Sequence, residues 1–214
     1  MIKRPFEQWL FEDVEIEFGI DRVYDFQPLL DWINVPNPIP LDENKEKLRL
    51  SLLKDVETWN EDELKMMFIA PFLKEFDFNH PPIYRVFTQR LMSLTTETVE
   101  ASGSVEWLVS TGKQRPRKPF FFLQEYESEK TSGNDPLGQL LIAMVNAQRD
   151  NEDKNKPLYG CYNIGRLWFF VLLIDKEYGV SRAYDATQID DMSDMVVILN
   201  RVVSHIKTEL NVVD

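Results

Sequence analysis

Cysteine and histidine are nearly absent from this chain. Its 214 residues include one cysteine, Cys161, and two histidines, His80 and His205. A single thiol excludes an intramolecular disulfide and any multi-thiolate zinc centre. It also fits a reducing, cytoplasmic compartment. The histidines stand far apart without ligand-like spacing, which argues against a multi-histidine metal site or a histidine-based triad. No apolar segment follows Met1-Ile2-Lys3-Arg4 in the manner of a secretory leader. The longest apolar run, Leu167 to Ile174, is far too short to span a bilayer, so no membrane partner is expected. Positive charge is also scarce: 24 Lys and Arg face 36 Asp and Glu, for a formal charge of -12. Phosphates are repelled at long range by such a balance, which argues against broad nonspecific nucleic-acid binding and leaves room for a local basic patch.

The length suits one medium domain with a helical extension, able to bury roughly 70% of the unfolded surface without a disulfide or structural metal. Two segments are expected: an N-terminal helical segment, 1–59, and a core domain, 60–214. Within the first, helices are expected near Phe6 to Glu17 and Asp25 to Ile33. A proline-rich loop, 34–40, follows. Leu48, Leu52, Val56 and Trp59 then recur at helical spacing after Asp42. Asn60 with Glu63 forms a capping-box pattern that opens a helix through Leu73.

After His80-Pro81-Pro82 the pattern becomes β-like. One long or bent strand is expected over Ile83 to Val99, a turn at Gly103, a strand at Val105 to Ser110, and a third at Pro119 to Tyr126. Asp135-Pro136 places an N-cap and a first-turn proline at the start of a helix that ends near Asp150. A hairpin around Gly165-Arg166, a strand at Gly179 to Tyr184 and an amphipathic helix from about Asp190 complete the chain. That last helix could pack on the core or form a homodimer. The whole reads as a mixed α/β fold, a meander flanked by helices.

Chemistry concentrates in FFFLQEYESEK, residues 120–130. The run Phe120 to Leu123 is apolar on both faces, as in a central strand. Glu125 and Glu127, two apart, project to one face, with Tyr126 on the other. Glu106 on the neighbouring strand and Glu63 on the preceding helix could join them. Two readings stand for these acids: ligands of a hard divalent cation, or the solvated end of a strand. Among the remaining aromatics, Trp107, Trp168 and Phe169 are expected in the core.

The stretches WNEDELKMMFIAPFL, SGSVEWLVSTG, PFFFLQEYESEK, DPLGQLLIAMVNAQ and PLYGCYNIGRLWFFVLL, in this order and spacing, resemble a bacterial branch of the PD-(D/E)xK, or restriction-endonuclease-like, nuclease superfamily. The resemblance implies a central mixed sheet flanked by helices and a Mg2+- or Mn2+-dependent deoxyribonuclease acting on DNA. By position, Glu63 matches the upstream acid, Glu106 the motif Asp, Glu125 the (D/E) ligand and Glu127 the Lys; Gln139 matches a Gln of the following helix. Glu63, Glu106 and Glu125 would then be metal ligands, with Glu127 orienting or deprotonating water. Two positions depart from the pattern: Glu106 replaces Asp, and Glu127 replaces Lys. A bulge after Tyr126 could bring Lys130 round as the missing cation. Lys113, Arg115, Arg117 and Lys118, in the loop between the two acid-bearing strands, could contact phosphate or simply form a solvated turn. The departure at Glu127 also admits a catalytically inactive nuclease-fold protein acting as a binding or regulatory module.

Overall fold

A computed structural model describes residues 2–129, 135–151 and 153–212. In chain order the elements are β1 (Ile2–Pro5), α1 (Phe11–Phe18), β2 (Asp21–Arg22), α2 (Gln27–Ile33) and α3 (Glu43–Asp55). Then come α4 (Glu61–Leu64), a π-helical turn (Lys65–Ile69), α5 (Ala70–Lys74), β3 (Arg85–Thr95), β4 (Val99–Thr111) and β5 (Arg117–Glu127). The remainder is α6 (Pro136–Asp150), β6 (Leu158–Ile164), β7 (Leu167–Ile174), β8 (Glu177–Val180), β9 (Tyr184–Asp185) and α7 (Ile189–Glu209).

The strands form one mixed sheet in the order β1-β4-β5-β6-β7-β8-β2, with β3 along β4 and β9 along β7. The meander β3–β4–β5 is antiparallel, whereas β6 runs parallel to β5, with α6 as the crossover. Helices cover both faces. On one, α2, α3, the 61–74 helix and α7 pack over Trp107, Phe122, Trp168 and Phe170. On the other, α1 and α6 pack over Leu108, Leu123, Val171 and Leu173. The architecture is thus mixed α/β with helices flanking a central sheet, as the sequence pattern implied.

The first 59 residues are woven into this sheet. β1 pairs in parallel with β4, and β2 with β8. Arg201 of α7 donates to the carbonyls of Trp32 (2.6 Å) and Asn34 (2.8 Å), satisfying the open end of α2. Arg49 of α3 likewise donates to the Thr187 carbonyl at 2.6 Å. Neither four-residue β1 nor two-residue β2 is long enough to show a period, and both escape the sequence reading.

Gly103 is the main correction. It is not a turn: β4 runs through it from Val99 to Thr111, and the chain reverses at residues 96–98 instead. The glycine is there for close approach, since a Cβ on it would sit 2.4 Å from the Phe6 side chain. The expected strand at Gly179 to Tyr184 divides into β8 and β9, and the first expected helix divides into a 3-10 turn at Phe6–Gln8 and α1 from Phe11. The apolar stripe of α7, with Met195, Leu199, Val202 and Ile206, is buried in this chain's own core, leaving no such stripe for a second copy. Among the described residues, no helix is long and apolar enough to cross a membrane.

Candidate functional site

The acid-bearing ends of β4 and β5 lie side by side. Trp107 pairs with Gln124, and one step beyond that pair stand Glu106 and Glu125. The Glu106 backbone amide hydrogen-bonds the Glu125 carboxyl. Glu125 is 4% exposed and Glu127 7%. Such burial is unusual for carboxylates, and its effect is direct. Desolvation, then the negative charge of Glu106, hold the Glu125 carboxyl well above the usual range, despite the Glu106 amide opposing them; Glu127 and Glu61 add to the rise.

Side-chain alternation slips by one at this point. Val105 and Leu108 face the α6 layer, whereas Trp107 and Val109 face the opposite one. On β3 the same slip separates Phe87 from Met92 and Leu94, with Gln89 between them in the left-handed region (φ 50°). The irregularity lets Glu106 reach the Tyr126 face of the sheet. Its Oε2 accepts the Tyr126 hydroxyl at 2.7 Å and the Lys65 ammonium at 3.2 Å. Burial and then this bond to Glu106 raise the Tyr126 hydroxyl far above its ordinary value, so it stays a donor.

Lys65 is placed by the helix above. Asn60 caps that helix, its side chain accepting from the Glu63 amide at 2.9 Å while Glu63 Oε2 accepts from the Asn60 amide at 2.8 Å. The capping box is therefore real, and it takes up the Glu63 carboxylate, which is exposed on the helix end. Glu61, two residues earlier and half-buried, is the helix acid that the cluster feels. Its carboxyl is raised by burial first, then by the charges of Glu127 and Glu106. The helix widens into its π turn at Lys65, whose carbonyl accepts from the Ala70 amide. The ammonium also lies 5.3 Å from the centre of the Tyr126 ring.

The structure thus brings together Glu106, Glu125 and Glu127 with Glu61 and Lys65. It does not bring Glu63 into the group. Lys130 lies outside the described residues. Gln139 stands in the first turn of α6, half-buried, with its amide nitrogen lacking a partner among the described residues. Lys113, Arg115, Arg117 and Lys118 sit at the far end of the two strands. Glu106 lies five residues before Thr111, or about 17 Å at the usual strand rise.

Among the described residues, no three carboxylate, imidazole or thiolate groups stand close enough to hold a metal ion as they are placed. In kind, the donors still suit a hard divalent cation, since all of them are carboxylate oxygens. Glu61 and Lys65 were missed from sequence because the capping pattern drew attention to Glu63. Helical spacing offers the missing signal: Glu61 and Lys65 are four apart and share a helix face, from which Glu63 is turned away.

A scan against family models finds no match to this chain, and a search of curated proteins finds none either.

Proposed function

We propose that this acidic end is the site of a metal-dependent nuclease that hydrolyses phosphodiester bonds of DNA on a restriction-endonuclease-like core. The observation that carries the reading is the burial of Glu125 and Glu127 against Glu61 and Glu106 at one end of adjacent strands. Buried like charges of this kind concentrate at functional sites. The order of elements, a helix, an antiparallel meander, a crossover helix and a parallel fourth strand, supports it further.

Glu106 and Glu125 would hold Mg2+ or Mn2+, with Glu61 in place of Glu63 as the helix's contribution. An ion held there would supply polarisation of a phosphoryl oxygen and activation of water. Glu127 would orient an attacking water and accept its proton as the phosphorus–oxygen ester bond breaks, the leaving oxygen taking a proton from solvent. Lys65 offers an ammonium to the charge that develops on the phosphoryl oxygens. It does so from a helix, where the resembled family keeps its lysine on the strand. The Tyr126 hydroxyl fixes the Glu106 carboxylate. Lys113, Arg115, Arg117 and Lys118 would contact phosphates of a strand long enough to reach beyond the acids.

A second reading, a nuclease-fold protein without catalysis acting as a binding or regulatory module, is favoured by two observations. Glu127 stands where the family keeps Lys, and Glu106 Oε2 is already engaged by both Lys65 and Tyr126. Cleavage of plasmid and single-stranded DNA with Mg2+ or Mn2+ separates the two. Cleavage by the wild type and its loss in Glu125→Ala is the expected result. Wild type and Glu125→Ala behaving alike removes catalysis by this site.

A further inference from the structure

The carboxylate end of β5 extends past the strand beside it. Ladder pairing of β5 with β4 reaches as far as Gln124, opposite Trp107. Beyond that pair, Glu125, Tyr126 and Glu127 pair with Tyr162, Asn163 and Ile164 of β6. β6 itself ends there and turns through Gly165 and Arg166 into β7. The position of the acids therefore depends on how this last stretch of β5 is held to β6 and its turn.

Two buried amides make that connection. Gln124 Nε2 donates to Asn163 Oδ1 at 3.0 Å, and Asn163 Nδ2 donates to the Gly165 carbonyl at 3.3 Å. The Gly165 amide then donates back to the Glu127 carbonyl at 2.8 Å. The circuit leaves β5 one residue before Glu125 and returns to it at Glu127. Gly165 is in the left-handed region (φ 55°) and packs so closely that a Cβ on it would lie 2.1 Å from Glu129 Cγ. Arg166 closes the turn from outside, pairing with Glu129 at 3.6 Å and with Asp185 at 3.5 Å.

Stability does not explain the amides. Gln124 and Asn163 are both fully buried, and each is paired across the sheet with a tryptophan, Gln124 with Trp107 and Asn163 with Trp168. Gln124 Oε1 and the indole nitrogens of both tryptophans have no hydrogen-bond partner among the described residues. An incomplete polar network in an apolar layer costs free energy, and a pair of leucines would fill the space without that cost. What leucines lack is direction. The amides fix the end of β5 against the turn in one register and at one angle.

We propose that Gln124 and Asn163 are positioning residues for the acidic end, holding Glu125 and Glu127 in place for a divalent cation. The inference rests on the nuclease reading of that end. Both amides act through the backbone of β5, as outer-shell groups do around ligating carboxylates.

The test compares the full chain with Gln124→Leu, and with Gln124→Leu combined with Asn163→Leu. Three measurements are made: thermal unfolding without divalent ions, amide hydrogen exchange, and calorimetric titration with Mn2+. Gln124→Leu alone strands Asn163 Oδ1 and lowers Tm. The double variant, with both amides gone, recovers Tm to within about 2 °C of the wild type. Its Gly165 amide nevertheless exchanges faster by about tenfold or more, while the Leu172 amide, further along β7, does not. Its Mn2+ affinity is weaker by about tenfold or more. A purely structural pair would instead give back Mn2+ affinity together with Tm. The proposal is overturned by a double variant that binds Mn2+ like the wild type, or whose Gly165 amide exchanges at the wild-type rate. A double variant whose Tm stays low overturns it too, because lost affinity would then follow from lost folding. If the wild type itself takes up no Mn2+ at millimolar concentration, the nuclease reading fails and the positioning role falls with it. Wild-type binding that the double variant matches sinks the positioning role alone.

Discussion

At one end of β5, Glu125 and Glu127 are buried in the charge field of Glu61 and Glu106, and Lys65 pairs with Glu106. At the other end, Lys113, Arg115, Arg117 and Lys118 are exposed to water. Both ends concentrate charge of one sign, yet they differ in what holds it. The exposed cations are solvated and need no further cause. Glu125 is opposed by desolvation and by the charge of Glu106, so an arrangement that retains it needs a reason beyond stability. The acidic end is therefore the stronger functional signal.

The widest separation between the two ends should appear in catalysis. Glu106→Gln removes a charge that the proposed ion requires, and kcat for DNA cleavage should fall by about 100-fold or more. Charge reversal of Lys113, Arg115 and Arg117 should instead raise KM and its salt dependence, leaving kcat within a few-fold. Steady-state kinetics on plasmid DNA measures both. Equal falls in kcat from the two changes would break the comparison, because the ends would then act as one site.

Lys65 tests how the acidic end is balanced. Lys65→Met leaves Glu106 with the Tyr126 hydroxyl and no ammonium. A stability loss of about 1–2 kcal/mol, read from denaturant unfolding without divalent ions, is expected. Lys65→Arg should recover most of it. A loss equal in the two variants would mean that packing over Tyr126, not charge, is what Lys65 contributes.

Glu125 gives the acidic end a pH signature. Burial and the charge of Glu106 raise its carboxyl in the folded chain, so the folded state binds the proton more tightly than the unfolded one. Stability then falls as pH rises, from the ordinary carboxylate value of about 4.3 up to the raised folded value. Above that window the whole penalty is present, and below it none. Glu125→Gln keeps an acceptor for the Glu106 amide and cannot ionise. Its Tm should exceed that of the wild type at neutral pH, by about 2–4 °C for each kcal/mol relieved, and the difference should vanish in acid. Scanning calorimetry across pH reads this directly. A constant difference at all pH values would show that Glu125 is not the group responsible.

How much of this was legible in the sequence follows from what each element depends on. β5, α6 and α7 depend on local patterns: an apolar run, an Asp-Pro cap and a helical stripe. All three appear near their expected bounds. β1, β2 and the continuity of β4 through Gly103 depend on partners far along the chain, such as Phe6 against Gly103, and no local pattern encodes them. The site divides in the same way. Period-two spacing placed Glu125 and Glu127 together, but the slip in alternation that turns Glu106 toward Tyr126 and Lys65 arises from paired irregularities on β3 and β4.

The smallest effect comes from choosing between two acids on one helix. Glu63 closes the capping box with Asn60, while Glu61 is the one that the charges of Glu127 and Glu106 reach. Glu63→Ala should therefore lower stability by about 0.5–1 kcal/mol, as loss of one arm of a cap does, and leave cleavage unchanged. Glu61→Gln should do the reverse. It relieves repulsion in the metal-free chain, so stability holds or rises slightly, while cleavage and the Tm gain from added Mn2+ both diminish. Thermal unfolding with and without Mn2+ distinguishes the two even if cleavage is never observed. If Glu63→Ala proves the variant that loses the Mn2+ response, the cap must open to release Glu63 toward the ion. Its partner Asn60 would then become the residue that sets how tightly the acidic end binds metal.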